Sequence, residues 1–282
     1  MGDDTACLVC LLLAGKYIAQ HVDSPQWREI RREDAPGLLL VCNAGEEGLG
    51  NLKGVHKICE DFGDRIERFC TFDSSLSSIV DRAVGSKRFR VRVRTRGGHS
   101  YDDFGNDNAI AGLASLVGKL YGIRVPEGGK TTYNVGMISG GTSVNTIVQE
   151  AEMLYEFRSD RRENLEYMER QFMKVIDRAE SEGMDVSLEV IGVRPCEGPV
   201  DPRRKQALSD WAHRVVEEMT GQAPKHCAGS TDCNIPLSLG IPSVCVGSFR
   251  GAGAHTREEY VETDSLEEGY KVAFGMIFGS RD

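Results

Sequence analysis

Residues Arg88–Thr95 read RFRVRVRT, a strict alternation of charged and apolar side chains. Successive side chains on a β-strand point to opposite faces of the sheet, so this alternation predicts a strand with one buried and one hydrated face. An earlier stretch, Gly37–Cys42 (GLLLVC), is instead continuously apolar, which is typical of a strand buried on both faces. The two stretches therefore predict two different kinds of sheet.

The elements that follow Arg88–Thr95 come in a regular order. Asn108–Leu120 is expected to be a helix, with Asp107 as its cap. The remaining elements are the expected strands Thr131–Ile138 and Asn145–Phe157, the helix Glu163–Ser181 and the strand Val186–Val193. The order β-α-β-β-α-β is that of a ferredoxin-like α+β domain. We therefore predict a compact domain at residues 87–193 that is inserted into a larger one.

The segments on both sides of this insert alternate helix and strand. Before it, the strands Gly37–Cys42 and Arg65–Phe72 flank a helix over Leu49–Cys59, and after it the apolar strand Ile241–Val246 lies between two helices. This alternation predicts an α/β domain with a mostly parallel sheet. The domain is discontinuous, covering residues 1–86 and 194–282. Functional side chains in such sheets collect where strands end and loops begin.

Composition excludes several classes of function. The 282 residues carry a formal net charge of -9, and no basic stripe is interleaved with aromatic residues, so no nucleic-acid partner is expected. No apolar run reaches the roughly 20 residues that a membrane-spanning helix needs. The apolar run Ala6–Ala14 follows acidic residues, unlike a signal peptide. Scattered cysteines without zinc-finger spacing predict free thiols and a cytoplasmic location.

Glu46 and Glu47 follow the expected strand Gly37–Cys42 after a short turn. Adjacent carboxylates at a strand end favour a nearby cation or a shared proton. One of them could bind a metal while the other takes a proton from water. The alternative is a solvated glutamate pair in a loop.

Three further positions have both a chemical and a structural interpretation. Asp3 opens a helix, where a carboxylate can simply cap the N-terminus. Asp73 ends the strand Arg65–Phe72 in an Asp-Ser-Ser sequence that also suits a turn. His255 lies in the glycine-rich stretch GAGAHT and could be a surface residue. Carboxylates together with a histidine are nevertheless the usual ligands of hydrolytic zinc.

Six motifs, taken in chain order, resemble the zinc aminopeptidase/carboxypeptidase superfamily of co-catalytic metallopeptidases. That superfamily includes peptidase T, carboxypeptidase G, acetylornithine deacetylase and aminoacylase. The motifs span nearly the whole chain and are GDDTACLVCLL (2–12), NAGEEGLG (43–50), RTRGGHSYDDFGNDNAI (94–110), GMISGGTSVNTIVQEAEMLYEFRS (136–159), AGSTDCNIPLSLGIPSV (228–244) and GAGAHTREEYV (251–261). The GGHSYDDFG segment resembles the peptidase T-like branch most.

The resemblance implies a two-zinc hydrolase and assigns roles to residues of the outer segments. Asp3 would bridge the two zinc ions (Zn2+). Glu47 and His255 would complete the protein ligands of one ion, and Asp73 would bind the other. Glu46 would be the general base that takes a proton from the attacking water and later protonates the leaving amine.

The resemblance also implies a homodimer that forms through the insert, as a lid and dimerisation domain. His99, in the GGHS stretch, would reach into the partner subunit's site and polarise the scissile carbonyl. Asn145 and Arg158 would hold the substrate, Arg158 through a carboxylate that suits the guanidinium fork. An exposed helix or edge strand of the insert would meet its counterpart in the second copy.

The implied substrate is a short peptide or an N-acyl amino acid. An aspartate at position 73, where related enzymes have aspartate or glutamate, favours aminopeptidases and dipeptidases. We therefore expect hydrolysis of the amide bond of di- or tripeptides, with Glu46 as general base toward the attacking water. N-acyl amino-acid deacylation is the alternative.

One element of the resemblance has no counterpart in this chain. The family has a further zinc histidine, in an HxD motif on a strand before the bridging aspartate, and none of the six histidines takes its place. The second ion would then have only Asp3 and Asp73 as protein ligands. We therefore expect an N-terminally truncated chain that is weakly active or inactive. A non-catalytic dimeric remnant of the fold is a further possibility.

Overall fold

The structure, a computed structural model, describes residues 2–21, 23–25 and 37–278. Within these residues the α-helices are α1 (Cys7–His21), α2 (Lys53–Phe62), α3 (Ala109–Tyr121), α4 (Arg162–Ser181), α5 (Pro202–Thr220), α6 (Asn234–Ser238) and α7 (Leu266–Phe278). The strands are β1 (Phe69–Phe72), β2 (Ser78–Ala83), β3 (Gly85–Arg94), β4 (Gly98–His99), β5 (Thr131–Gly140), β6 (Thr146–Ile147), β7 (Glu150–Ser159), β8 (Asp185–Arg194), β9 (Lys225–Gly229), β10 (Ser243–Val246), β11 (Gly251–Ala252) and β12 (Tyr260–Val261).

The chain forms two compact units. The first unit combines Met1–Ala83 with Gly198–Asp282, and the second is Val84–Glu197. The expected boundaries, 1–86 with 194–282 and 87–193, differ from these divisions by three and four residues. The difference arises because β3 begins at Gly85 and β8 continues to Arg194, so both strand ends belong to the second unit.

The first unit is built on a four-stranded sheet in the order β1-β10-β2-β9. The β1–β10 and β2–β9 pairs are parallel, while β10 and β2 are antiparallel. This confirms an α/β unit with a mainly parallel sheet. Helices α5 and α7 contribute Trp211, Val215 and Val272 to a buried cluster with Val244 and Val246 of β10.

The segment Gly37–Cys42 is not a strand, so that prediction is wrong. Its side chains from Leu38 to Val41 are exposed, with 56% of the Leu38 surface accessible. An apolar run becomes a buried strand only where neighbouring strands pair with its backbone. Among the described residues, no strand pairs with residues 37–42. The apolar helix α1 is likewise buried on one side only, at Cys7, Cys10 and Ala14.

The second unit contains a four-stranded antiparallel sheet in the order β5-β7-β3-β8. This strand order, with α3 and α4 in their places along the chain, confirms the ferredoxin-like arrangement. The apolar side chains of RFRVRVRT, Phe89, Val91 and Val93, are buried, together with Leu113 of α3 and Phe172 of α4.

The alternating arginines of β3 occupy the other face of this sheet. The Nε atom of Arg88 donates to Glu156 at 3.2 Å and that of Arg92 donates to Glu152 at 3.0 Å. Alternation therefore gives this strand a packed face and a face of ion pairs. The cap of α3 is Asn108, whose side chain accepts hydrogen bonds from two backbone N–H groups, rather than the expected Asp107.

None of the helices in the described ranges is long and apolar enough to cross a membrane.

Candidate functional site

The loop that carries Glu46 and Glu47 is tightly folded around small residues. Gly45 has a φ of +81°, and a Cβ on Gly50 would lie 2.7 Å from the Cα of Gly45, which only glycine tolerates. A 3₁₀ turn, Gly48–Gly50, follows directly. Glu46 is half-buried and Glu47 is exposed. The loop therefore presents two adjacent carboxylates in different environments.

A second segment of the first unit holds this loop in place. The side-chain amide of Asn43 donates a 2.8 Å hydrogen bond to Oδ2 of Asp232. Asp232 lies before α6 and is buried, with 5% of its surface accessible. This bond joins two of the quoted motifs, NAGEEGLG and AGSTDCNIP, across 189 positions of sequence.

His255 lies next to the glutamate loop. Its Nδ1 atom is 3.9 Å from Oε2 of Glu47, although 208 positions separate the two residues. His255 has a φ of +65°, and the N–H and hydroxyl of Thr256 both donate to the carbonyl of Gly253. Non-glycine residues rarely adopt this left-handed conformation. The turn thus sets the imidazole beside the carboxylate, as the two predicted ligands of one ion require.

Asp73 lies where two parallel strands end. It follows β1, and its N–H donates to the carbonyl of Val246, the last residue of β10, at 3.1 Å. The carboxyl ends of parallel strands meet at one edge of a sheet, where ligands usually bind. Asp73 is half-buried there. The position agrees with the strand-end placement that the sequence predicts.

Asp3 lies in the helical turn Gly2–Ala6, and its side chain lies outside the described part of the chain. Asp4, next to Asp3 in the sequence, and Asp73, which follows β1, both affect the pKa of the Cys7 thiol. Burial raises the pKa of Cys7 well above its ordinary value, and the negative charges of Asp4 and Asp73 raise it further. The start of the chain and the end of β1 therefore lie close together.

The buried thiols around this edge are poor metal ligands. Burial raises the pKa of Cys233 and of Cys245 well above the ordinary value for a thiol, and negative charges, including that of Asp73, raise both further. A metal-binding cysteine must be a thiolate. Carboxylates and imidazole are therefore the plausible ligands on this edge.

The donors that the structure describes fit a zinc ion only in part. Two ligands of a tetrahedral zinc, each at about 2.0–2.1 Å, lie about 3.3 Å apart. The 3.9 Å between Glu47 and His255 approaches this value, and both side chains are exposed and can adjust. No group of three or more histidine, cysteine or carboxylate side chains among the described residues is arranged as a metal site. The pair thus fits one ion, and a complete ligand set stays a prediction.

His99 of the second unit lies on the short strand β4, which pairs with β6. Its N–H donates to Oδ2 of Asp103 at 2.8 Å, and its Nδ1 lies 3.1 Å from Oδ2 of Asp102. Gly98 before it has a φ of +146°, and a Cβ there would lie 2.6 Å from the Cβ of Asp103. The GGHSYDD motif is therefore a compact turn that fixes the backbone of His99.

The second unit places Asn145 beside His99. The N–H of Ser100 donates to the backbone carbonyl of Asn145 at 3.0 Å, and the Asn145 side-chain oxygen accepts from Ser143 at 2.6 Å. Arg158 lies on β7 and donates to both oxygens of Glu156, at 2.8 and 3.1 Å. The fork expected for a substrate carboxylate is therefore already paired with a carboxylate of the chain.

The match to a known domain family falls on this second unit. Residues 83–184 match the M20 dimerisation family, described as a peptidase dimerisation domain. The second unit is therefore similar to M20 peptidase dimerisation domains. The match includes His99, Asn145 and Arg158 and ends just before β8.

Several solved structures share the fold of most of the chain. The aminopeptidase PepT from Bacillus cereus matches with a TM-score of 0.69 at 21% identity, covering 97% of this chain and 70% of that one. A tripeptidase from Staphylococcus aureus matches with 0.69 at 20% identity, covering 97% and 69%. An amidase of the hydantoinase/carbamoylase family from Burkholderia multivorans matches with 0.56 at 18% identity, covering 74% and 54%. No protein among the curated sequences matches the chain.

The dimerisation domain and the shared fold together support the M20 peptidase superfamily, and they confirm the resemblance that the six motifs predict. Members of this superfamily are hydrolytic enzymes, generally zinc-dependent metallopeptidases. At 21% identity, the likeness to PepT defines the fold rather than the substrate.

Sequence reasoning missed three residues that position the candidate site. Asn43 and Asp232 tie the glutamate loop to the segment before α6, and Asp103 binds the backbone of His99. Each lies within a motif quoted for the resemblance. Their motif positions are therefore the signal that could have identified them, since polar residues inside tight glycine-rich loops often bind backbone or neighbouring loops.

Proposed function

We propose that the chain is a zinc-dependent hydrolase of short peptides, acting as a di- or tripeptide aminopeptidase. The observation that carries the proposal is the approach of His255 to Glu47, at 3.9 Å, directly beside Glu46. A solvated glutamate pair needs no such partner. An imidazole and a carboxylate next to a second carboxylate are the parts of a hydrolytic zinc site.

Glu47 and His255 would hold one zinc ion, Asp73 a second, and Asp3 would be shared by both. Bound zinc polarises a carbonyl oxygen and lowers the pKa of water. Glu46 takes the proton from the attacking water and delivers it to the leaving amine. Glu46 is half-buried, whereas the neighbouring Glu47 is exposed, so the two carboxylates are suited to different roles.

The residues of the dimerisation domain would complete the site from a second copy. His99 donates a hydrogen bond to the scissile carbonyl oxygen as negative charge develops on it. Asp102, 3.1 Å from Nδ1, orients the imidazole. Asn145 and Arg158 bind the rest of the substrate, and a substrate carboxylate competes with Glu156 for the Arg158 fork.

The homodimer would form through the edge of the dimerisation domain. One side of the edge strand β5 pairs with no other strand in the described part of the chain, and Met137 and Ile138 on β5 are exposed. Unpaired strand edges readily pair with another chain. We place this homodimer in the cytoplasm, since all nine cysteines are free thiols, as a reducing compartment keeps them.

N-acyl amino-acid deacylation is the second candidate function. The fold shared with an amidase of the hydantoinase/carbamoylase family favours it. Both functions need the same water-activating carboxylate. They differ in the substrate, which carries a free amine for the peptidase and an acylated amine for the deacylase. A non-catalytic dimer is the third outcome, and an activity assay separates it from the other two.

The test is an assay of the purified chain with added zinc. Trialanine and N-acetylalanine are offered separately, and the release of alanine is measured. Release from trialanine supports the proposal, release from N-acetylalanine alone favours the deacylase, and no release with either contradicts both enzymes. Glu46→Gln should lower turnover by at least about a hundredfold, as expected for loss of a general base. Glu60→Gln, an exposed glutamate of α2, is the matched control.

A further inference from the structure

Two histidines of the first unit face each other outside the candidate catalytic site. His213 lies on α5 and His226 on the edge strand β9. The Nδ1 atom of His213 lies 2.9 Å from the Nε2 atom of His226, and the planes of the two rings are 7° apart. The two imidazoles therefore share one hydrogen between facing nitrogens.

A carboxylate lies behind each imidazole. The Oδ2 atom of Asp81 is 2.7 Å from Nδ1 of His226, and Oε2 of Glu217 is 3.8 Å from Nε2 of His213. Asp81 on Nδ1 fixes the tautomer of His226 that leaves a lone pair on Nε2. A carboxylate behind an imidazole is the arrangement that orients histidine toward a metal.

Ser209 completes the cluster but does not make it a serine hydrolase triad. Its hydroxyl donates to Oδ2 of Asp81 at 2.8 Å and lies 3.2 Å from Nδ1 of His226. In a catalytic triad, the serine and the aspartate bind opposite nitrogens of the histidine. Here they bind the same nitrogen, and Ser209 is buried with 3% of its surface accessible. Ser209 instead holds the Asp81 carboxylate in place.

We propose that His213 and His226 form a binding site for a divalent transition metal such as zinc, separate from the candidate catalytic site. When the ion binds, the hydrogen on Nδ1 of His213 moves to Nε2, on the side of Glu217, so that both facing nitrogens bind the ion through lone pairs. Two zinc–nitrogen bonds of about 2.0–2.1 Å at a tetrahedral angle place the nitrogens about 3.3 Å apart. From the observed 2.9 Å, the two nitrogens must move about 0.4 Å apart and both rings must turn toward the ion. The two side chains are about one-third exposed, so water can reach the remaining positions.

The negative charges around the pair favour a cation. Asp81 is 14% exposed, and its Oδ1 atom is buried, 3.8 Å from Nε of Arg82, with no hydrogen-bond partner among the residues that the structure describes. A carboxylate in this position is stabilised when the imidazole beside it carries positive charge from a bound ion. With two protein ligands, the site binds zinc more weakly than a three-ligand site. The ion would link α5 to the edge strand β9.

A zinc titration of the purified chain tests this proposal. The double variant His213→Ala/His226→Ala is compared with the wild type and with His56→Ala, which removes an exposed histidine of α2. We expect the double variant to bind one zinc fewer per chain, and the control to bind as many as the wild type. Equal numbers bound with equal affinities in all three proteins would overturn the site.

Two further measurements keep the test decisive if the double variant folds poorly. The variant Asp81→Asn should bind as many zinc ions as the wild type. The affinity for one of these ions should fall by roughly 10–100-fold, as is usual when a residue that hydrogen-bonds to a metal ligand is changed. In the wild type, added zinc should shift the imidazole NMR signals of His213 and His226. Unshifted signals at saturating zinc would rule the site out, whatever happens at Glu47 and His255.

Discussion

The two units of this chain differ in how fully the strands of their sheets are paired and packed. In the second unit, β3 pairs along its whole length with β7 on one side and β8 on the other. One face of that sheet packs on two helices, and the other carries arginine–glutamate pairs. The strands of the four-stranded sheet in the first unit are four to six residues long, and the segment 37–42 lies outside this sheet with leucines exposed.

The second unit is therefore a well-packed framework, whereas the first unit carries the candidate metal site. Long paired strands with a continuous core fix a domain through many contacts that form locally along the chain. Short strands with long loops place functional side chains on the loops. The positions of these side chains then depend on a few hydrogen bonds. In the first unit, the bond from Asn43 to Asp232 is one of these few. Mutations should therefore weaken the two units through different mechanisms.

The largest effect should come from opening the core of the second unit. Phe172 of α4 is fully buried, and its ring centroid lies 4.4 Å from that of Phe89 and 5.3 Å from that of Tyr155. Phe172→Ala should lower the free energy of unfolding by about 3–5 kcal/mol, since it leaves a cavity. Urea unfolding followed by circular dichroism measures the change. Phe104→Ala, at an 89% exposed position, should change it little.

A smaller but still large effect should come from close packing in the first unit. A Cβ on Gly269 of α7 would overlap the carbonyl oxygen of Ser248, so the helix could pack there only after shifting. Gly269→Ala should therefore destabilise the chain by about 1–3 kcal/mol, the usual range for overpacking.

A glycine in the second unit supplies the matched control. Gly118 lies inside α3 with open space around it. Gly118→Ala should stabilise the chain by about 0.5–1 kcal/mol, because alanine suits a helix interior better. Thermal melting of both variants gives the comparison. Equal shifts in the same direction would show that helix propensity, rather than the contact with Ser248, controls position 269.

The charged face of the second unit should make stability depend on pH. Burial acts to raise the pKa of Glu156, but hydrogen bonds and charges from Arg158 and Arg88 outweigh it and lower the pKa below its ordinary value. The folded state therefore gains stability from this carboxylate above its unfolded pKa of about 4.3. That stability is lost as the pH falls through the lower, folded pKa.

Glu156→Gln tests this contribution. The substitution should lower stability at pH 7 by less than about 1 kcal/mol, because the ion pair is partly solvated. It should also reduce the loss of stability between neutral and acidic pH. Unfolding midpoints measured at several pH values provide the data, with Glu180→Gln on the exposed face of α4 as control. An unchanged pH profile in the Glu156 variant would contradict the assignment.

The second unit was the easier one to predict from sequence, for a physical reason. The alternation in RFRVRVRT is a local pattern, and the two faces that it predicts are those of β3. In the first unit, the signals are not local. The strands β2 (SIVDRA) and β9 (KHCAG) were missed, because Asp81 and His226 interrupt their apolar pattern. His226 is one of the two proposed metal ligands, and Asp81 lies behind its imidazole ring.

The candidate site also has contacts that the sequence predicts and contacts that it does not. The family resemblance assigns Glu47 and His255 to one ion, and the structure places the two side chains 3.9 Å apart. The bond from Asn43 to Asp232 could not be predicted, because it joins residues 189 positions apart through loops without periodicity. Arg158 was expected to hold substrate, and its pairing with Glu156 follows from their spacing of two residues, which places both side chains on one face of β7.

The smallest effect on stability should come from the exposed leucines of the first unit. Leu39 has 53% of its surface accessible, so Leu39→Ser removes little buried apolar surface and should change the free energy of unfolding by less than about 0.5 kcal/mol. The same change should reduce binding of the dye ANS, because a contiguous apolar segment is what such dyes bind.

Val91→Ser, at a fully buried position of β3, is the opposite case. It should destabilise the chain strongly, since it buries a hydroxyl where apolar atoms pack. If Leu39→Ser proved as costly as Val91→Ser, segment 37–42 would have to be packed in solution, and the contrast between the two units would fail at that point.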